Sequence, residues 1–121
     1  MDRMDKLDVK RILITGGAGR IARAVRSRLD ECYLFESLDL VSAADVKSHV
    51  ADLGDLDAIL PAFDGKDVVI HFGGDPSGDA PWDSVLPNNI IGTHNVLEAA
   101  RRMNVGRFIF ASSNHTVGVN W

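Results

Sequence analysis

The sequence predicts an α/β fold, a parallel sheet with helices on both faces. Three observations carry this. Short runs rich in β-branched and aromatic residues alternate with stretches whose apolar residues recur at helical spacing, the pattern of βαβ units. The first such run, "RILIT", leads straight into the glycine-dense turn "GGAG" and then into a helical pattern. No linker, repeat or low-complexity segment interrupts the 121 residues, so residues 1–121 read as one domain.

Each element follows from its own residues. Arg11–Thr15 is a β-rich run closed by glycines and reads as a buried strand. From Gly19 to about Leu29, the residues Ile21, Ala22, Val25 and Leu29 share a helical face, with Arg20, Arg23, Arg26 and Arg28 largely on the other. "YLFESLDL", Tyr33 to Leu40, is a second strand and "KSHVADL" a third. Asp55 to Phe63 is a short helix with Leu56, Ile59, Leu60 and Phe63 as its apolar stripe. "DVVIHFGG" is a fourth strand ending in glycines. A long helix runs from Asp83 to about Met103 and carries Val85, Leu86, Ile90, Val96 and Leu97. "GRFIFASS" is a fifth strand, and the sequence stops soon after it. Right-handed crossovers between such units give a Rossmann-like sheet with strand order 3-2-1-4-5.

Composition bounds the function. Hydrophobic residues make up 45% and charged residues 25% of the chain, the balance of an ordinary soluble globular protein. A net charge of −4 argues against a nucleic-acid surface, which needs a basic patch. Apolar runs are too short to span a membrane. The charged N-terminus "MDRMDKLDVKR" lacks the apolar core of a secretory signal. These features point to a cytoplasmic protein without nucleic-acid or membrane partners. The single cysteine, Cys32, excludes an internal disulfide and suits a reducing compartment. It reads as a small buried hydrophobe, since no activating partner lies near it in sequence.

The turn "TGGAGRIA" joins a strand to a helix, which is where backbone amides and the helix dipole meet a phosphate. Gly16 permits the tight turn and Gly19 lets the backbone approach a pyrophosphate. Arg20 and Ile21 complete the loop, and Ala22 replaces the third glycine of the strict pattern with one extra methyl. The alternative is a plain strand–helix turn, because a glycine pattern alone is weak evidence. Asp39, 20 residues after Gly19, ends the second strand where an acid would accept from ribose hydroxyls. Leu40, Val41 and Ser42 follow it with no basic residue to neutralise a 2′-phosphate. This favours NAD over NADP, although Arg20 lies within reach of a phosphate. Asp52 and Leu53 suit an adenine, the carboxylate for its amino group and the leucine for its ring; the alternative is ordinary turn chemistry, in which an Asp precedes a Gly. Gly73 and Gly74 end the fourth strand, where a side chain would block a cofactor. Of the histidines, His49, His71, His94 and His115 show no metal-ligand spacing. His71 reads as a hydrogen-bonded core residue and His94 as structural, and no metal is expected.

Taken together, "TGGAGRIA", "ADLGD", "HFGG" and "NNIIGTHNVLEAARRMNVGRFIFASSNH" resemble the extended short-chain dehydrogenase/reductase family, the NAD-dependent epimerase/dehydratases. Within it, "SSNHTVG" is most similar to the uronate dehydrogenases. The resemblance implies a pyrophosphate loop at Gly16, Gly19, Arg20 and Ile21, a ribose acid at Asp39 and an adenine pair at Asp52 and Leu53. It further implies that Gly73 and Gly74 pass under the cofactor and that Asn89 stabilises the central strands. Ser113 matches the active-site serine that hydrogen-bonds the reacting oxygen. Asn114 and His115 match residues that contact the sugar.

One departure outweighs these matches. The family's base is a tyrosine assisted by a lysine four residues later. This chain has one tyrosine, Tyr33, with Ser37 at the lysine position. The pair, the last strands and the substrate domain are expected beyond residue 121. "GGDPSGD" is a smaller departure, since Asp75 and Pro76 fit the substrate-side loop poorly. The resulting expectation is the NAD-binding N-terminal part of a sugar oxidoreductase, inactive alone and prone to self-association. The alternatives are a self-standing nucleotide-binding or regulatory module and half of a split enzyme.

Overall fold

The computed structural model describes residues 9–113. Five parallel strands form one sheet: β1 (Arg11–Thr15), β2 (Leu34–Asp39), β3 (Lys47–Val50), β4 (Val68–His71) and β5 (Arg107–Phe110). Their order is β3-β2-β1-β4-β5, as the sequence predicts. Alternate residues of a strand face opposite sides, and both sides are covered. On one side Ile12, Ile14, Phe35 and Ile70 bury themselves with Ala22 of helix α1 (Arg20–Leu29). On the other, Leu13, Leu38 and Val69 pack with Ile59, Phe63, Val96 and Ala99. That second side is covered by α2 (Leu56–Ile59), the 3₁₀ turn that continues it (Leu60–Phe63) and α4 (Gly92–Arg102).

Two predicted helices are not continuous α-helices, and proline explains both. Asp55 caps α2, its carboxylate accepting from the Ala58 amide at 3.2 Å. Pro61 has no N–H to donate, and the segment narrows to 3₁₀ geometry through Phe63. The long helix begins at Trp82 as α3 (Trp82–Val85) and widens to a π-helical stretch over Leu86–Ile91 around Pro87. It returns to α geometry at Gly92. Its end is set by Asn104, whose φ of 57° is left-handed, while the Val105 amide reaches back to the Ala100 carbonyl at 2.9 Å.

Three residues depart from expectation. Arg26, assigned to the solvent face of α1, is 2% exposed, whereas Ile21, assigned to the apolar face, is 65% exposed. The helix turns its Ala22–Arg26 line to the sheet, and polar partners for the guanidinium make this possible. Cys32 is exposed rather than buried, because it lies in the turn after α1 and not in the helix.

One charged cluster is built into the sheet. Glu36, in the middle of β2, is 8% exposed. It faces His49 at 2.7 Å and Lys66 at 3.2 Å, with Arg11 and Lys47 farther out. Lys66 is itself buried. Burial alone would raise the Glu36 carboxyl pKa, but the His49 hydrogen bond and the Lys66 charge hold it below its ordinary value.

Candidate functional site

All strand C-termini of a parallel sheet lie on one edge, and crevices open there where the strand order reverses. In this order the reversal falls between β1 and β4. The loop after β1 makes the floor. Gly16 has a φ of +68°, and a Cβ there would lie 2.9 Å from the Phe72 carbonyl carbon. The position therefore needs both left-handed backbone and no side chain. Helix α1 starts at Gly19 with no side-chain cap and no acidic residue in its first turn. Its first N–H groups and its dipole thus face outward at the positive end, an anion site by construction.

Above this loop lies a cavity of about 820 Å³, within the usual range for small-molecule clefts. Gly16, Gly19, Arg20, Ile21, Asp39, Asp52, Leu53, Gly73 and Gly74, the nine residues expected to contact a cofactor, all line it. They come from the ends of four strands.

Hydrogen bonds fix several of these residues. Asp39 accepts from the Ala18 amide at 3.1 Å and from the Leu40 amide at 2.7 Å, so it clamps the glycine loop to β2. Asp52 accepts from the Gly54 amide at 2.8 Å in an Asx turn. Leu53 is held through its carbonyl, which accepts from the buried Asn95 side chain at 2.8 Å. A Cβ on Gly73 would stand 2.7 Å from Leu53 Cδ1 and 3.2 Å from Thr15 Oγ1, so the protein's own packing already requires glycine there.

A buried polar knot supports the crevice. Thr15 Oγ1 accepts from the Phe72 and Gly73 amides at 3.1 and 3.0 Å. Its two lone pairs are then used, and its proton must go to His71 Nδ1, 2.5 Å away. His71 is therefore the Nε2–H tautomer, and Nε2 donates to Thr93 Oγ1 at 2.9 Å. Burial lowers the His71 pKa to about 4. This is the hydrogen-bonded core histidine that the sequence suggests. Because the folded-state pKa lies below the ordinary 6.5, the unfolded chain binds the proton more readily, and the stabilisation is complete above pH 6.5 and lost as pH falls toward 4. At about 1.36 kcal/mol per pKa unit the loss is about 3 kcal/mol. Urea unfolding between pH 7.5 and 4.5, in wild type and in His71→Asn, measures it. The wild type is expected to lose about 3 kcal/mol more than the variant, and parallel pH profiles would refute the assignment.

Other residues sit differently from expectation. Asn89 grips the backbone just after β4, accepting from the Asp75 amide at 2.7 Å and donating to its carbonyl at 3.1 Å. It therefore shapes the cavity wall rather than the central strands. Asp75, Pro76 and Asn88, not foreseen as site residues, also line the cavity. Asp75 accepts from Ser84 Oγ at 2.5 Å and from the Ser77 amide, and the Ser84 bond foremost keeps its pKa low. Asn95 was missed as well; a lone amide on the apolar side of a helix is the signal for it. Ser113 is exposed three residues past β5, on the same edge of the sheet, but does not line the cavity. Asn114 and His115 lie outside the described residues. Among the described residues no cluster of His, Cys, Asp or Glu is arranged to hold a metal ion, and no helix is long and apolar enough to cross a membrane.

Comparison with known proteins adds a second line of observation. The profile of the NAD dependent epimerase/dehydratase family matches residues 12–120. An NAD-dependent glucose-6-phosphate dehydrogenase of Haloferax volcanii is 42% identical over 116 residues, covering 88% of this chain and 44% of that protein. A uronate dehydrogenase of Pseudomonas syringae pv. tomato is 40% identical over 114 residues, covering 89% of this chain and 41% of that protein. Among solved structures, uronate dehydrogenase from Agrobacterium tumefaciens, a mutant complexed with NAD, is similar with a TM-score of 0.79 and 37% identity. That similarity covers 89% of this chain and 42% of the other. The chain thus spans about two fifths of the length of the relatives it matches.

Proposed function

The chain belongs to the NAD-dependent epimerase/dehydratase family, and on that premise we propose that it is the NAD-binding part of a sugar dehydrogenase of the uronate dehydrogenase type. The observation that carries the reading is the convergence of nine cofactor-type residues on one cavity, above an uncapped helix N-terminus. In this reading the Gly16–Ile21 amides hold the pyrophosphate. The carboxylate of Asp39 keeps lone pairs for the ribose hydroxyls after accepting from Ala18 and Leu40. Asp52 and Leu53 receive the adenine, and Gly73 and Gly74 line the path toward the nicotinamide. NAD supplies a hydride acceptor when bound. Ser113 would hold the reacting oxygen of the sugar, which for a uronate is the oxygen on the anomeric carbon. Asn114 and His115 would contact that sugar. We place the Tyr–Lys pair and the substrate domain in the remaining three fifths of the relatives' length, and the protein in the cytoplasm.

Calorimetric titration with NAD and NADP tests the reading. NAD is expected to bind more tightly, because a 2′-phosphate would meet the Asp39 charge with no basic residue among Leu40, Val41 and Ser42. Asp39→Ala is expected to narrow the gap between the two cofactors. A wild-type preference for NADP would mean that Arg20 governs the choice.

Self-association is the partner expectation. Among the described residues strand β5 pairs only with β4, and Ile109 and Phe110 on it are 46% and 53% exposed. An edge of this kind offers unpaired backbone groups to another copy. Light scattering at micromolar concentration is expected to show oligomers, and a monodisperse monomer would refute this and favour the self-standing module.

A further inference from the structure

Arg26 is the most buried charged side chain in the described fold, yet its surroundings are poor compensation for a guanidinium. Nη1 donates to Asp45 Oδ2 at 3.1 Å, and Nη2 makes a long 3.4 Å bond to the Gly17 carbonyl. Its Nε is buried without a hydrogen-bond partner, as is Ser37 Oγ on β2. Each orphaned group is costly, and an apolar residue would pack α1 on the sheet without that cost. What arginine adds is reach, since its planar fork can hold two segments at once.

The two segments are those that frame the cavity. Gly17 belongs to the glycine loop and sits hard on β2, where a Cβ would come within 2.2 Å of Ser37 Oγ. Asp45 belongs to the loop that follows Asp39. Asp39 already ties these loops once, through Ala18.

We propose that the Asp45–Arg26–Gly17 chain is a second tie between the loops, and that Arg26 is a positioning residue for the pyrophosphate and ribose ends of the cofactor. This rests on the reading of the cavity as an NAD site. The Arg26 hydrogen bond also holds the Asp45 carboxyl below its ordinary pKa. Asp45 is itself 62% exposed, so removing its carboxylate leaves the core packing alone.

Amide hydrogen exchange on the ligand-free chain, paired with NAD titration, tests the tie in Asp45→Ala, Asp45→Glu and Arg26→Met. Asp45→Ala is expected to speed exchange over residues 16–20 and 40–46 while leaving β4 and α4 unchanged. NAD affinity is expected to fall roughly tenfold, a usual size for coupling between sites. Asp45→Glu is expected to restore both readouts, and Arg26→Met to loosen the same two loops. Wild-type exchange in those loops in Asp45→Ala would overturn the proposal, as would a uniform increase across the chain, which is the mark of a merely structural role. If the wild type binds no NAD, the cofactor reading fails, and the exchange comparison still decides whether the tie exists.

Discussion

With saturating NAD and either glucuronate or galacturonate, the 121-residue chain is expected to reduce no measurable nicotinamide. The reason lies in its residues. Oxidation of a sugar hydroxyl needs a base for the proton that leaves as the hydride departs, and such a base contributes about 10²–10⁴-fold. The family's base is a tyrosine with a lysine four residues on, and the one tyrosine here is Tyr33. Tyr33 precedes β2, at the opposite end of that strand from Asp39 and the cavity. At about 3.3 Å per residue the strand sets the two roughly 20 Å apart. Tyr33 is engaged instead edge-on with Phe35. Ser113, which we propose holds the reacting oxygen, carries a hydroxyl and not a base. Nicotinamide absorbance followed over time measures the outcome. Turnover near the roughly 10 s⁻¹ of an ordinary enzyme would mean that another group of this chain takes the proton.

Glu36→Ala is expected to cost about 3–5 kcal/mol of folding stability, the usual result of removing one partner of a buried ion pair. Lys66, buried beside it, would keep only its 3.1 Å bond to the Asp64 carbonyl. Against a total stability of about 5–15 kcal/mol for a domain of this kind, the loss is large. Its cause is the stranded charge rather than the missing attraction. The double variant Glu36→Leu with Lys66→Met is therefore expected to recover most of the loss, because paired replacement by apolar groups is often neutral. Urea midpoints at pH 7 with unchanged slopes measure both. A loss under about 1 kcal/mol would place the pair with ordinary surface salt bridges. Recovery failing in the double variant would mean that Glu36 stabilises through His49 as well.

The same cluster shows where sequence reading stops. Glu36 lies between Phe35 and Ser37 in β2, and nothing local says that Lys66, thirty residues on, will bury itself against it. Arg26 is a similar case. Periodicity counted it with the arginines of the solvent face, since spacing records which residues are polar and not which line of a helix the sheet will take. Pro87 was visible in the sequence, but its effect was a widening to π geometry within a helix whose ends were read nearly correctly.

What the sequence alone determined is what acts over a few residues or repeats with a fixed period. The strand and helix alternation set the 3-2-1-4-5 order through short right-handed crossovers. Gly16 set the loop, because few other residues take its left-handed backbone, and Asp39 stood at a strand end where an acid has a clear use. Only the tertiary structure decided which side chains meet across it. Thr15 and His71 are 56 positions apart, and Asn95 and Leu53 are 42 apart. Such pairs leave no periodic trace, because burial makes a polar group find some partner without specifying in the local sequence which one it will be.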